Sequence, residues 1–156
     1  MGWVAPLHTH LIGCDTAPLI YYIETHPIYL QLIDLLFDSL DRGELQLVTS
    51  TITLLEVLIH PLRQGNAALA QHYEILLSNT RGIHVAPVSF SIAQAAARIR
   101  ATYNLRTPDA LQIATAIEFG AQFFVTNDPI FKRVPHINVI ILDDLLQNAG
   151  GQSATP

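Results

Sequence analysis

The chain has 156 residues, half of them hydrophobic, with a formal charge of -5 from 8 basic and 13 acidic residues. That length is enough for one core and needs no second domain, and the acidic balance argues against a protein that grips nucleic acid through a broad basic face. A single cysteine, Cys14, excludes an intramolecular disulfide and a multi-cysteine zinc cluster and fits a reducing, cytoplasmic setting; no apolar run approaches a membrane span.

Leu11 to Cys14 has the composition of a short strand, and Thr16 to Glu24 of a helix capped by Asp15 or Thr16, with Pro18 in its first turn. Leu11-Ile-Gly-Cys14 has the form of a lipoprotein cleavage box, but the ten residues before it lack a basic start and an apolar core. Helical spacing predicts a second helix from Pro27 to Arg42 with Gly43 as its stop. Leu45 to Thr49 is the next strand, and Ser50 or Thr51 opens a helix that carries Glu56 and is ended or bent at Pro61. Asn66 to Ser78 is helical, Ile83 to Val88 extended, and Ser91 to Tyr103 an alanine-rich helix bearing Arg98 and Arg100. Thr107 caps a helix running to Gly120 with Asp109 in its first turn; Phe123 to Thr126 and Asn138 to Leu142 are the last strands. Strands rich in Val, Ile and Phe that alternate with helices specify an α/β fold, a parallel sheet covered on both faces. Residues 1–147 are expected to form a single domain, and the Gly-, Ser- and Thr-rich stretch from Asn148 to Pro156 an unstructured tail.

Four carboxylates stand in or at the end of apolar segments: Asp15, Glu56, Asp109 and Asp128. Each has a local explanation. Asp15 can cap its helix, Asp128 can serve a turn, Asp109 can answer a helix dipole, and Glu56 can sit in a buried ion pair. Glu56 strains that account most, because Leu54, Leu55, Val57, Leu58 and Ile59 leave it no polar helix face. In open parallel sheets ligands bind at the carboxyl ends of the strands, where Asp15 and Asp128 both fall. Gathered there, four hard oxygen donors suit Mg²⁺ or Mn²⁺ and metal-assisted phosphoryl chemistry.

The segments Asp15-Thr-Ala-Pro-Leu-Ile-Tyr-Tyr-Ile-Glu24, Ser50-Thr-Ile-Thr-Leu-Leu-Glu56-Val-Leu, Arg106-Thr-Pro-Asp109-Ala-Leu-Gln-Ile-Ala-Thr-Ala and Thr126-Asn-Asp128 resemble the PIN-domain ribonucleases in wording and order. The resemblance covers roughly Leu11 to Leu145. It implies a three-layer α/β/α sandwich around about five parallel strands, and a Mg²⁺ or Mn²⁺ site in which Asp15, Glu56 and Asp109 are central, Asp128 is the fourth acid, and Thr16 and Thr126 are supporting polar groups. It further implies an endoribonuclease acting on RNA, similar to the toxins of VapBC pairs, with an antitoxin protein and a second copy of the chain as partners. Arg98, Arg100 and Arg106 are candidates for a cationic rim toward the RNA. The competing readings are a catalytically silent module that regulates through protein contacts, and an aspartyl-phosphate enzyme, against which Asp15-Thr16-Ala17 lacks a second acid two residues on. His8 and His10, on what is expected to be a loose terminus, and His60, one turn after Glu56, are weaker metal candidates.

Overall fold

The computed structural model describes residues 2–151. Its strands are β1 (Leu11–Cys14), β2 (Gln46–Ser50), β3 (Ile83–Ala86), β4 (Phe123–Thr126) and β5 (Asn138–Ile141). Its α-helices are α1 (Thr16–Ile23), α2 (Leu30–Asp41), α3 (Thr51–Arg63), α4 (Ala67–Asn79), α5 (Phe90–Tyr103), α6 (Thr107–Glu118) and α7 (Leu142–Gly151), with short 3₁₀ turns at Ala5–Leu7 and Pro129–Arg133. All five strands are parallel in the order β3-β2-β1-β4-β5. Among the described residues, no helix is long and apolar enough to cross a membrane.

Strand periodicity divides the core in two. Ile12 and Cys14 of β1, Leu47 of β2 and Val125 of β4 point to one face, where Leu19, Ile33, Leu36, Phe37, Val57 and Tyr73 close over them. Val48 and Phe124 point to the other, against Ile92, Ile99, Ile113 and Ala116 of α5 and α6. Gly13 lets α6 approach the central strand: a Cβ there would lie 2.5 Å from Ala116 Cβ and 2.7 Å from Phe124 Cδ2. The expected three-layer sandwich is therefore present, with β1 at its centre.

The connections after β1 and β2 step outward to β3, and the chain then returns past β1 to lay down β4 and β5. Strand order thus reverses between β1 and β4, and the crevice outside their carboxyl ends is the place such sheets reserve for ligands.

Several boundaries differ from the sequence reading. Pro61 neither ends nor sharply interrupts α3. The helix runs on to Arg63, because a proline removes only its own donor, and the carbonyls of His60, Pro61 and Leu62 accept from Gln64, Asn66 and Gly65. The cap of α6 is Arg106 rather than Thr107, and no side chain closes that terminus. Helix α2 starts at Leu30, since Pro27 to Tyr29 form a turn, and β3 stops at Ala86. The N-terminal stretch is anchored: Val4 and Leu7 are buried and the Trp3 indole donates to the Leu32 carbonyl at 3.2 Å. Beyond β5 an amphipathic helix forms, so residues 148–151 of the expected tail continue α7, while 152–156 lie outside the described residues.

Candidate active site

Asp15 follows the last residue of β1 and caps α1, its Oδ1 accepting from the Thr16 amide at 2.8 Å. Its Oδ2 accepts from the Thr126 hydroxyl at 2.7 Å, and Thr126 Oγ1 in turn accepts from the Asp128 amide at 3.1 Å. One threonine at the end of β4 therefore ties together two acids that sequence separates by more than a hundred residues. Asp128 caps the following 3₁₀ turn through Ile130 N at 3.0 Å. Glu56 projects from the second turn of α3, and its Oε1 accepts from the Thr16 hydroxyl at 2.9 Å. Asp109, in the first turn of α6, is only 9% exposed and accepts from Arg106 Nε at 3.0 Å.

These four acids line one open cleft of about 320 Å³ with Thr16, Tyr21, Arg106 and Asn127. A larger groove, about 470 Å³ with Arg42, Arg81 and His84 on its walls, lies at the opposite, amino-terminal ends of β2 and β3 and contains none of the four acids. Burial pushes the Asp15 carboxyl up to about 6; the neighbouring charges of Glu56 and Asp109 add to the rise, and the bonds from Thr126 and Thr16 restrain it. The Arg106 guanidinium is held more firmly charged by its bond to Asp109 and by the nearby charges of Asp109, Asp128 and Glu56.

Among the described residues, no three acids, histidines or cysteines stand close enough to make a ready metal cage. The expected pocket exists as a shared cleft, not as a closed cage, and each acid has its own partner there: Thr126 for Asp15, Thr16 for Glu56, Arg106 for Asp109, the Ile130 amide for Asp128. The donor set nevertheless fits a hard divalent cation. Carboxylates, the Thr16 hydroxyl and the Asn127 amide share one lining that holds no histidine or thiol, and a cation already stands against Asp109 in the form of Arg106. Asp15, Glu56, Asp109 and Asp128 are the residues that would hold such an ion.

The other sequence candidates are placed as follows. Arg106 lines the cleft with a side chain 74% exposed. Arg100 instead donates to the Leu105 carbonyl at 2.7 Å, and Arg98 lies on the exposed side of α5; neither lines the cleft. His60 is exposed and outside it. His8 contacts Glu44 at 3.3 Å, and the His10 ring packs edge-on to Phe123. Cys14 is buried, and burial raises its thiol, as expected of an inert strand cysteine. Sequence reasoning missed Thr49, Thr53, Gln112 and Asn127. Gln112 stands three residues after Asp109, and Thr53 three before Glu56, so helical spacing carried the signal for both.

A family model described as the PIN domain matches residues 12–137. No curated protein matches the chain. Among solved structures, VapBC2 from Rickettsia felis, bound to a DNA fragment from its promoter, matches with a TM-score of 0.65 at 20% identity over 84% of this chain and 98% of that one. VapC20 of Mycobacterium tuberculosis, described as a toxin that cleaves the sarcin-ricin loop, matches with a TM-score of 0.65 at 17% identity, covering 83% and 98%. FitAcB from Neisseria gonorrhoeae gives 0.63 at 18% identity, covering 86% and 99%. At such identities the structures speak for the fold, and the domain model speaks for descent: with its sheet order, its site and a match over most of its length, this chain belongs to the PIN-domain family.

Proposed function

We propose that this protein is an endoribonuclease dependent on Mg²⁺ or Mn²⁺. The observation that carries the reading is the convergence of Asp15, Glu56, Asp109 and Asp128, from four separate segments, on one cleft at the carboxyl ends of β1 and β4. A divalent ion, when bound, supplies positive charge at the scissile phosphate and makes water more acidic. The four carboxylates fix where that charge resides. Thr126 and Thr16 fix the rotamers of Asp15 and Glu56, so that little reorganisation is needed during reaction. Arg106, with most of its guanidinium in solvent, can hold a phosphate of the RNA backbone in a fork of donors. On a chain of net charge -5, such local cations must do what a basic surface does elsewhere.

The test compares wild type with Asp109→Asn on defined structured RNAs, in Mg²⁺, in Mn²⁺ and in chelator. Cleavage that requires the ion and is lost in the variant supports the proposal. A wild type that binds the ion and cleaves nothing across a broad RNA panel would favour the silent binding module instead.

We further propose that the enzyme acts as the toxin of a toxin–antitoxin pair. Family membership and likeness to toxin structures support this reading, whose partner would be a small protein that covers the acid cleft. A homodimer is proposed from α3, where Leu55, Ile59 and Leu62 turn 57%, 40% and 67% of their surface outward at helical spacing.

A further inference from the structure

Behind Glu56 lies a buried polar cluster of Thr16, Thr49, Thr53 and Gln112, supplied by α1, β2, α3 and α6 and all less than 9% exposed. The Thr49 hydroxyl donates to Thr53 Oγ1 at 2.7 Å, and the Thr53 and Thr16 hydroxyls lie 3.2 Å apart. Thr16 donates to Glu56 Oε1, and Gln112 Nε2 stands 2.5 Å from Thr53 Oγ1, 3.0 Å from Thr16 Oγ1 and 3.5 Å from Glu56 Oε1.

The order of protons in this cluster follows from the chemistry of its end. An ionised carboxylate only accepts, so the Thr16 proton is committed to Glu56, and the lone pairs of Thr16 are left for Thr53 and Gln112. The Gln112 nitrogen, not its oxygen, must face this side, because a carbonyl there would oppose the carboxylate. Donors from Thr49 through Thr53 and Thr16 thus run toward Glu56 Oε1, and the Gln112 amide, with two protons to give, makes its short contacts to Thr53 and Thr16 and so acts on Glu56 mainly through the Thr16 hydroxyl. The consequence for Gln112 is adverse: its own Oε1 is buried with no hydrogen-bond partner among the described residues. A buried carbonyl left unpaired disfavours the folded state, and an aliphatic side chain here would avoid the loss. Packing therefore does not explain the amide.

We infer that Gln112, backed by Thr53 and Thr49, is a positioning residue for Glu56. It holds Oε1 within the protein and leaves Oε2, which has no hydrogen-bond partner among the described residues, as the oxygen that Glu56 presents to the cleft. The inference rests on the nuclease reading of that cleft.

The test uses Gln112→Met, which keeps the side-chain length and removes the amide, and the pair Thr16→Val and Thr16→Ser, which remove and retain the hydroxyl. Mn²⁺ affinity is measured by calorimetry, cleavage by kcat and KM, and folding by thermal melting in chelator. Gln112→Met and Thr16→Val are expected to bind Mn²⁺ roughly tenfold more weakly and to lose roughly tenfold or more in kcat. KM for RNA should hold within about twofold, Gln112→Met should melt no lower than wild type, and Thr16→Ser should recover most of the loss. A folded Gln112→Met with wild-type Mn²⁺ affinity and kcat, beside an active wild type, overturns the positioning role alone. A wild type that neither binds Mn²⁺ nor cleaves removes the nuclease reading, and this role with it.

Discussion

Replacing Asp15 with asparagine should make the metal-free protein more stable while disabling it. A carboxyl held at about 6 rather than 3.8 weakens the folded state by about 3 kcal/mol once it is ionised both folded and unfolded. The sign follows from proton binding: above pH 6 neither state holds the proton and the penalty is complete; between pH 6 and pH 4 only the folded state holds it and the penalty fades; below that it is gone. The asparagine side chain would still cap α1, but the bond that Thr126 now donates to a charged oxygen would be weakened, at a loss of about 1 kcal/mol. The net gain near pH 8 is about 2 kcal/mol, or roughly 4–8 °C in Tm for a chain of this size. Thermal melts of both proteins in chelator at pH 8 and pH 4 measure it, since an added cation would itself offset the cost of burying that charge. An Asp15→Asn protein no more stable than wild type at pH 8, or one whose advantage is the same at pH 4, would refute the reasoning. Cleavage by the same variant should be lost, which would separate a residue kept for chemistry from one kept for folding.

Asp109→Asn should leave the melting curve within a few degrees of wild type and reduce metal-dependent cleavage at least about a hundredfold, read from single-turnover assays. Gly13→Ala should destabilise the fold by about 2–3 kcal/mol in urea melts, because the new methyl would be forced against Ala116 and Phe124 in the central layer. Leu55→Ser combined with Leu62→Ser should change monomer stability little, as both side chains already face solvent. Light scattering should nevertheless find a wild-type dimer converted to monomer; a wild type that is monomeric at working concentration would remove the dimer.

The parts of this site that were legible in the sequence are those whose chemistry clashes with their surroundings. Glu56 stood out because its neighbours in α3 are aliphatic, and Asp15 and Asp128 because each terminates an apolar strand. Strand identity was legible for the same reason, as β1, β2 and β4 are short runs bounded by polar residues. What stayed hidden depends on partners far away in the chain. Thr49, Thr53 and Gln112 are unexceptional in their own segments, and only the packing of α3 and α6 against β2 puts them in contact. The three arginines before Asp109 looked equivalent in sequence, yet Arg100 is spent on the Leu105 carbonyl just past the end of its own helix while Arg106 reaches Asp109 at the cleft. The continuation of α3 beyond Pro61 was illegible because proline's local penalty is real, and it is outweighed here by burial of the ring and by the bonds of the last turn.

The placement of β1 between β2 and β4 bears on when, during synthesis, this protein acquires its site. Asp15 is made well before β4, yet its amide bonds to Val125, and its carboxylate is held by Thr126, 111 positions later. A chain still emerging from the ribosome has no Asp109 until α6 begins, and it has one edge of β1 open and no Asp128 until β4 has been made. Every incomplete or C-terminally clipped form short of β4 therefore lacks the assembled cleft, which is whole only when β4 stands beside β1 at the sheet's centre.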